Sequence, residues 1–221
     1  MNRRREEFRI TTADAQVSAL LLDAACLAPT QRDLDEAPRG ETREAFLRRR
    51  AATRRLVAQR LGVAASDLEI GRNLNGAPRL LSPQAPLHLS VSGRADYCAV
   101  ALASSAIGVD IEPLEPETEP VWSALHPSEA AVVRAAAKPA RSEAFLRLWT
   151  AKEAYLKALG SGFAREPATI AVDLDFRLLD NERDVSLAAR EWRLVRLAGR
   201  KFLIACVVLG APSARTDAFE R

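Results

Sequence analysis

The chain has little of what would name a chemistry at once. Only three of its 221 residues are cysteines, Cys26, Cys98 and Cys206, far apart and in apolar surroundings. No Cys-x-x-Cys occurs, so neither a disulfide framework nor a thiolate zinc site is indicated, and buried thiols in a reducing compartment are expected. Two histidines, His88 and His126, exclude a His-rich metal site and leave little room for a Ser-His-Asp triad. Both read as structural: His88 alternates with Leu87 and Leu89, and His126 precedes Pro127 at a helix start. Aromatic residues make up 5%, so the core must lean on Ala, Leu and Val. No apolar run approaches the roughly 20 residues of a membrane span. Glu6 and Glu7 interrupt the basic start and Asp23 stops the apolar stretch 17–22, which argues against a signal peptide and for a cytoplasmic protein. Neither Gly-x-x-x-x-Gly-Lys-Ser/Thr nor Gly-x-Gly-x-x-Gly is present, which removes the P-loop and the dinucleotide fingerprint.

What is present is ordinary for a folded chain of one domain or two small ones: 48% hydrophobic, 28% charged, formal net charge +3. That balance does not argue for nucleic acid. The basic set is unusual, with only four lysines among 32 basic residues. Two of them, Lys152 and Lys157, lie close together, and a lysine in an arginine-rich chain suggests a need for a compact point charge.

Residues 1–16 are polar and expected to be loose, and 17–22 read as a short buried strand. Pro29, Pro38 and Gly40 punctuate a turn-rich connection. Residues 42–61 are helical, with Phe46, Thr53, Leu56, Val57 and Leu61 near one face and Arg48, Arg49, Arg50, Arg54, Arg55 and Arg60 on the other. Strands are expected at 68–70, 87–91, 97–103 and 106–112, with a loop at 72–83 holding Asn75-Gly76-Ala77-Pro78. Residues 128–138 are helical with Ser128 as N-cap. The clearest helix spans 142–159, with Gly160 as its stop. Residues 169–176 alternate as a strand, and 192–197 with 201–209 form a hairpin around Gly199. The fold class is therefore α+β, as two similar lobes, 1–104 and 105–221, meeting near Ser104 and Ser105.

Two segments could carry chemistry. In Gly108-Val109-Asp110-Ile111-Glu112, residues two apart on a strand share a face, about 6.6 Å apart at the backbone. Two such carboxylates suit a hard cation, although a lone pair of this kind is more often a solvated acidic turn. In Trp149-Thr150-Ala151-Lys152-Glu153-Ala154-Tyr155-Leu156-Lys157, Glu153 and Lys157 lie one helical turn apart, which alone is an ordinary ion pair. Lys152 falls among the apolar residues of its helix, where a lysine must snorkel out or meet an anion. Together, three carboxylates and two amines suggest Mg²⁺-assisted phosphate chemistry.

These two motifs, in this order and some forty residues apart, resemble the 4'-phosphopantetheinyl transferases of the surfactin-synthetase-activating type over residues 40–209. The run Leu87-His88-Leu89-Ser90-Val91-Ser92-Gly93, the Gly76-Ala77-Pro78 loop and the arginine helix sit in the family's places. The resemblance implies two α+β lobes related by a pseudo-twofold axis, with coenzyme A in the cleft between them, its nucleotide on the first lobe. The implied reaction moves the phosphopantetheine arm from coenzyme A to a serine of an acyl or peptidyl carrier protein, leaving adenosine 3',5'-bisphosphate. The carrier would belong to fatty-acid, polyketide or nonribosomal-peptide synthesis.

By position, Asp110, Glu112 and Glu153 would hold Mg²⁺ (Mn²⁺ is also admissible), and Asp110 and Lys152 would meet the pyrophosphate. Glu153 or Lys157 would take the serine proton. Arg39, Arg54, Arg55, Gly76, Pro78 and Ser90 would contact the coenzyme. The resemblance implies a monomer, with no nucleic acid and no membrane as partner. Two departures stand out. Val91 replaces a family histidine that contacts the nucleotide's phosphates, and Ala77 replaces a Lys or Arg. Arg72, Arg79 or the arginines of 48–55 are the residues able to compensate. Without compensation, the alternative is a non-catalytic or weakened homologue that binds a carrier protein or coenzyme A. A basic-helix nucleic-acid binder ranks last.

Overall fold

The computed structural model describes residues 4–22, 29–40, 42–94, 96–115, 117–160, 165–179 and 185–210. Nine strands and four α-helices are formed by these residues: β1 (Arg5–Ile10), β2 (Ala15–Leu21), α1 (Gln31–Glu36), α2 (Thr42–Leu61), β3 (Glu69–Arg72), β4 (Pro78–Ser82), β5 (His88–Gly93), β6 (Tyr97–Ala103), β7 (Ile107–Pro113), α3 (Pro127–Ala135), α4 (Lys138–Ala158), β8 (Leu187–Leu197) and β9 (Arg200–Leu209). They build an antiparallel sheet in the order β1-β2-β6-β5, a second in the order β7-β9-β8, and a β3-β4 ribbon. The class is α+β. Among the described residues no helix is long and apolar enough to cross a membrane.

Strand alternation sets the layers. On β6, Tyr97, Ala99, Ala101 and Ala103 face one way, and Cys98, Val100 and Leu102 the other. The first set meets Val109 and Ile111 of β7 and Phe202, Ile204 and Cys206 of β9, so the two sheets share a core face to face. The second set meets Ala52, Leu56 and Val57 of α2. On the far side of the second sheet, Leu203, Ala205 and Val207 meet Leu148, Ala151 and Tyr155 of α4. The order is helix, sheet, sheet, helix. With few aromatics, alanines fill the inter-sheet layer, and Tyr97 and Phe202 pair within it, 4.8 Å between ring centres. Burial pushes the thiols of Cys98 and Cys206 up to about 12, so both are inert core groups. Cys26 lies outside the described residues, as do residues 211–221.

Several local expectations are corrected. The N-terminal segment is not loose: Arg5–Ile10 forms an edge strand paired with β2. Its charged side chains suit a strand with one open edge. The turn-rich connection contains α1, capped by Thr30 and Asp33, which bond each other's backbone N–H. Within the expected loop at 72–83, Pro78–Ser82 pairs with β3. The N-cap of α3 is His126, not Ser128: its ring nitrogen accepts from Ser128 N–H, and Glu129 closes the capping box. Residues 169–176 follow a 3-10 turn at Pro167–Thr169 and make one isolated bridge, Val172 with Leu178, rather than a strand. Finally, Arg50 and Arg54 do not lie on a solvated face. They are 6% and 4% exposed and pair with Glu36 and Asp33 of α1.

Candidate active site

The two motifs meet because Gly108 has no side chain. A Cβ there would overlap the Ala154 carbonyl oxygen and sit 2.5 Å from the Ala158 nitrogen. Helix α4 therefore lies directly on β7, and the next outward position of that strand, Asp110, comes under Lys157. Asp110 is 3% exposed. Its Oδ1 accepts from Lys157 Nζ at 2.7 Å and from Ser92 Oγ at 2.6 Å. Its Oδ2 is buried and meets no hydrogen-bond donor among the described residues. A buried carboxylate oxygen without a donor is costly, and a cation would satisfy it.

Glu112, two residues on, accepts from Trp149 Nε1 at 3.3 Å and lies 3.6 Å from the Arg94 guanidinium. Burial raises its pKa, and Asp110 adds to this against the pull of Arg94. Burial likewise raises that of Glu153; Lys157 opposes the rise, and Asp110 and Glu112 reinforce it. The three carboxylates thus feel one another's charge. Among the described residues, no three His, Cys, Asp or Glu side chains are gathered tightly enough to chelate an ion. In this arrangement the Lys157 ammonium is the cation at Asp110.

Lys152 is not in this cluster. It is fully buried, and its Nζ donates to Glu129 Oε2 at 2.6 Å and to the Ala124 carbonyl at 2.9 Å. Glu129 in turn accepts from the backbone N–H of His126 at 2.8 Å and of Val172 at 2.9 Å. The anion that this lysine needs is internal. The expected pyrophosphate contact is corrected to a buried tie joining α3, α4 and the 167–172 segment.

Two adjoining cavities open beside the cluster. One, of 280 Å³, is walled by Arg49, Arg50 and Arg72 with Phe46 and Ser92. The other, of 170 Å³, is mostly apolar and includes Leu89, Ser90, Leu156, Pro167 and Glu153. Gly76, Pro78, Val91 and Lys157 line both. Gly76 has φ +81, which favours glycine, and its carbonyl accepts from Arg72 at 2.9 Å. Asn75 Nδ2 donates across the cleft to the Gly160 carbonyl at 2.8 Å. Ser90 is buried, and its Oγ accepts from Val109 N–H at 3.1 Å, tying β5 to β7.

The expected nucleotide contacts divide accordingly. Gly76, Pro78 and Ser90 line the cleft. Arg54 does not, because Asp33 holds it under α2. Arg55 is exposed, and neither it nor Arg39, exposed beyond α1, belongs to either cavity wall. The wall is built instead by Arg49, Arg50 and Arg72, from the arginines named as able to compensate. Ser92 was missed, since its bond to Asp110 depends on two sheets meeting.

Carboxylates and an amine stand beside a cationic cleft in an α+β frame, an arrangement chemically suited to phosphorylated groups. Comparison with known proteins narrows this. Residues 106–207 match the family model of the 4'-phosphopantetheinyl transferase superfamily. The chain is 28% identical over 176 residues to the 4'-phosphopantetheinyl transferase HetI of a Nostoc strain, covering 76% of this chain and 72% of that protein. It is 26% identical over 110 residues to the 4'-phosphopantetheinyl transferase gsp of Aneurinibacillus migulanus, covering 49% of this chain and 45% of that protein. The chain is thus similar to the 4'-phosphopantetheinyl transferases, most directly over residues 106–207.

Proposed function

We propose that the protein transfers 4'-phosphopantetheine from coenzyme A to a serine hydroxyl of an acyl or peptidyl carrier protein, releasing adenosine 3',5'-bisphosphate. The observation that carries this reading is the cluster at Asp110: Lys157 and Ser92 on one oxygen, a buried oxygen without a donor on the other, and a cationic cleft alongside. The lobes are taken as 1–104 and 105–221, the first for the nucleotide and the second for the transfer.

The cationic cavity suits the phosphates of the nucleotide, and the apolar one suits the pantetheine arm. The serine oxygen attacks the phosphorus bearing the arm, and the bond from that phosphorus to the bridging oxygen breaks. Lys157 borders both cavities and donates to Asp110, so it is a hydrogen-bond donor for the pyrophosphate rather than a proton acceptor. Glu153 is the base: burial and the two neighbouring carboxylates raise its proton affinity, and it lines the cavity that the serine must enter. The orphaned Asp110 oxygen and the mutual repulsion of Glu112 and Glu153 fit a divalent cation, Mg²⁺ or Mn²⁺, held by these three residues. Such an ion supplies charge neutralisation on the pyrophosphate.

The reading as a non-catalytic homologue rested on lost cationic contacts at Val91 and Ala77. Arg49, Arg50 and Arg72 share a cavity wall with Val91, which favours the enzyme. Incubation with radiolabelled coenzyme A and apo-carrier protein tests the proposal. Label on the carrier that requires divalent metal is expected, and absence of label on every carrier class contradicts it.

A further inference from the structure

Tyr97 opens β6 and is buried. Phe202 packs against its ring, and the Arg200 guanidinium carbon lies 5.8 Å from the ring centre of Tyr97 and 5.1 Å from that of Phe202. Arg200 is itself held by Asp96 at 2.6 Å. The ring packs as a core phenylalanine would, yet it ends in an oxygen. That hydroxyl is buried and completes no hydrogen bond among the described residues. A buried polar group left unpaired is costly, and a phenylalanine would avoid the cost. The surroundings of the hydroxyl are those of the carboxylate cluster. The β5-β6 turn closes with Arg94 N–H donating to the Tyr97 carbonyl at 3.1 Å. Gly93 permits this, since a Cβ there would sit 2.3 Å from the same carbonyl oxygen. The turn thereby sets Tyr97 beside Arg94, whose guanidinium is 3.6 Å from Glu112. Burial pushes the Tyr97 pKa up to about 12, Glu112, Asp110 and Asp96 add to the rise, and Arg94 opposes it. Arg94 carries only donors, so it approaches the phenol oxygen but cannot take its hydrogen.

We infer that Tyr97 is a positioning residue of the candidate metal site, its hydroxyl donating to the Glu112 carboxylate and holding it in place for a divalent cation. The inference rests on the function proposed above, and on its cation site in particular. Carboxylates that ligate metals are themselves hydrogen-bonded by outer groups, which fix their orientation. Trp149 Nε1 meets Glu112 from α4 at 3.3 Å, and Tyr97 supplies a second neutral donor from β6. Arg94 is exposed, so a cation can displace it from Glu112. Tyr97 is rooted in the inter-sheet core and stays where it is. The two parts of the side chain thus have separate tasks: the ring packs the core, and the oxygen serves the site.

The test compares the full chain with Tyr97→Phe, which keeps the ring and deletes the oxygen. Mn²⁺ binding is read directly from the electron paramagnetic resonance of the free ion, with coenzyme A present, no carrier, and coenzyme A alone as the blank. Tyr97→Phe should bind Mn²⁺ about tenfold or more weakly. In EDTA it should melt no lower than the parent, because it loses only an unpaired hydroxyl. The transfer assay should show the matching split. The metal concentration for half-maximal transfer rises by about the same factor, about tenfold or more, while the rate at saturating metal stays within about threefold. Unchanged Mn²⁺ affinity in Tyr97→Phe overturns the inference and leaves the transferase reading standing. A lower melting temperature in EDTA overturns it as well, since the hydroxyl would then be a donor to the fold. If the intact protein binds no Mn²⁺ in the presence of coenzyme A, the metal site proposed above fails, and this inference with it.

Discussion

At the scale of single residues, the centre of the account is a set of carboxylates that the fold holds at a cost. Glu112 and Glu153 both sit above the usual carboxylate range, mainly through burial. A carboxyl whose folded pKa lies above its unfolded one costs stability once ionised, and the cost is relieved as pH falls through the raised value. Glu153→Gln removes such a charge together with the proposed base. It is expected to melt no lower than the parent at pH 7 while transfer falls by about a hundredfold or more. Thermal melting beside a transfer assay checks this; normal turnover would contradict the assignment. The sequence marked Asp110, Glu112, Glu153 and Lys157 as candidates, because their spacing puts them on shared faces of one strand and one helix, and the fold brings those two faces together. It did not mark Ser92, which gains its meaning from a different strand folded against Asp110.

At the scale of elements, the site depends on how α4 lies on β7. Gly108→Ala should push the helix away and part Asp110 from Lys157, costing about 1–3 kcal/mol or more. Denaturant unfolding gives the loss, and transfer should fall with it even where the protein remains folded. Lys152 works from the other side of the same helix. Lys152→Met leaves Glu129 buried without its cation and should cost about 3–5 kcal/mol. Glu129→Gln added to it should recover part of that loss. In protein still folded, the Lys152→Met KM for coenzyme A should stay within about twofold; a large rise would return this lysine to the pyrophosphate. The sequence showed that Lys152 needed an anion but not which one, since Glu129 lies on a neighbouring helix. In the same way α1 was hidden: its polar residues are held by ion pairs to α2, not by an apolar stripe. Helix α2 was legible to the residue because Gly40 and Gly62 bracket it.

For the whole molecule, the two sheets share one alanine-rich core, and the cleft lies where β5 meets β7 and the β3-β4 turn reaches the end of α4. The α+β class could be read in advance from helical stretches followed by strands. The edge strand β1 could not, because charged residues on an open edge look like a polar tail. The shared core joins Ser92 to Asp110 and sets the arginines of α2 beside Lys157, so any loosening between the sheets should disturb donor binding and transfer together. The most direct measurement is the intact mass of an apo-carrier protein after incubation with this protein, coenzyme A and Mg²⁺, beside a control with EDTA. The account predicts a gain of about 340 Da, the mass of one phosphopantetheine, in the first sample and none in the second. No gain on any acyl or peptidyl carrier, with coenzyme A also failing to bind, would contradict it.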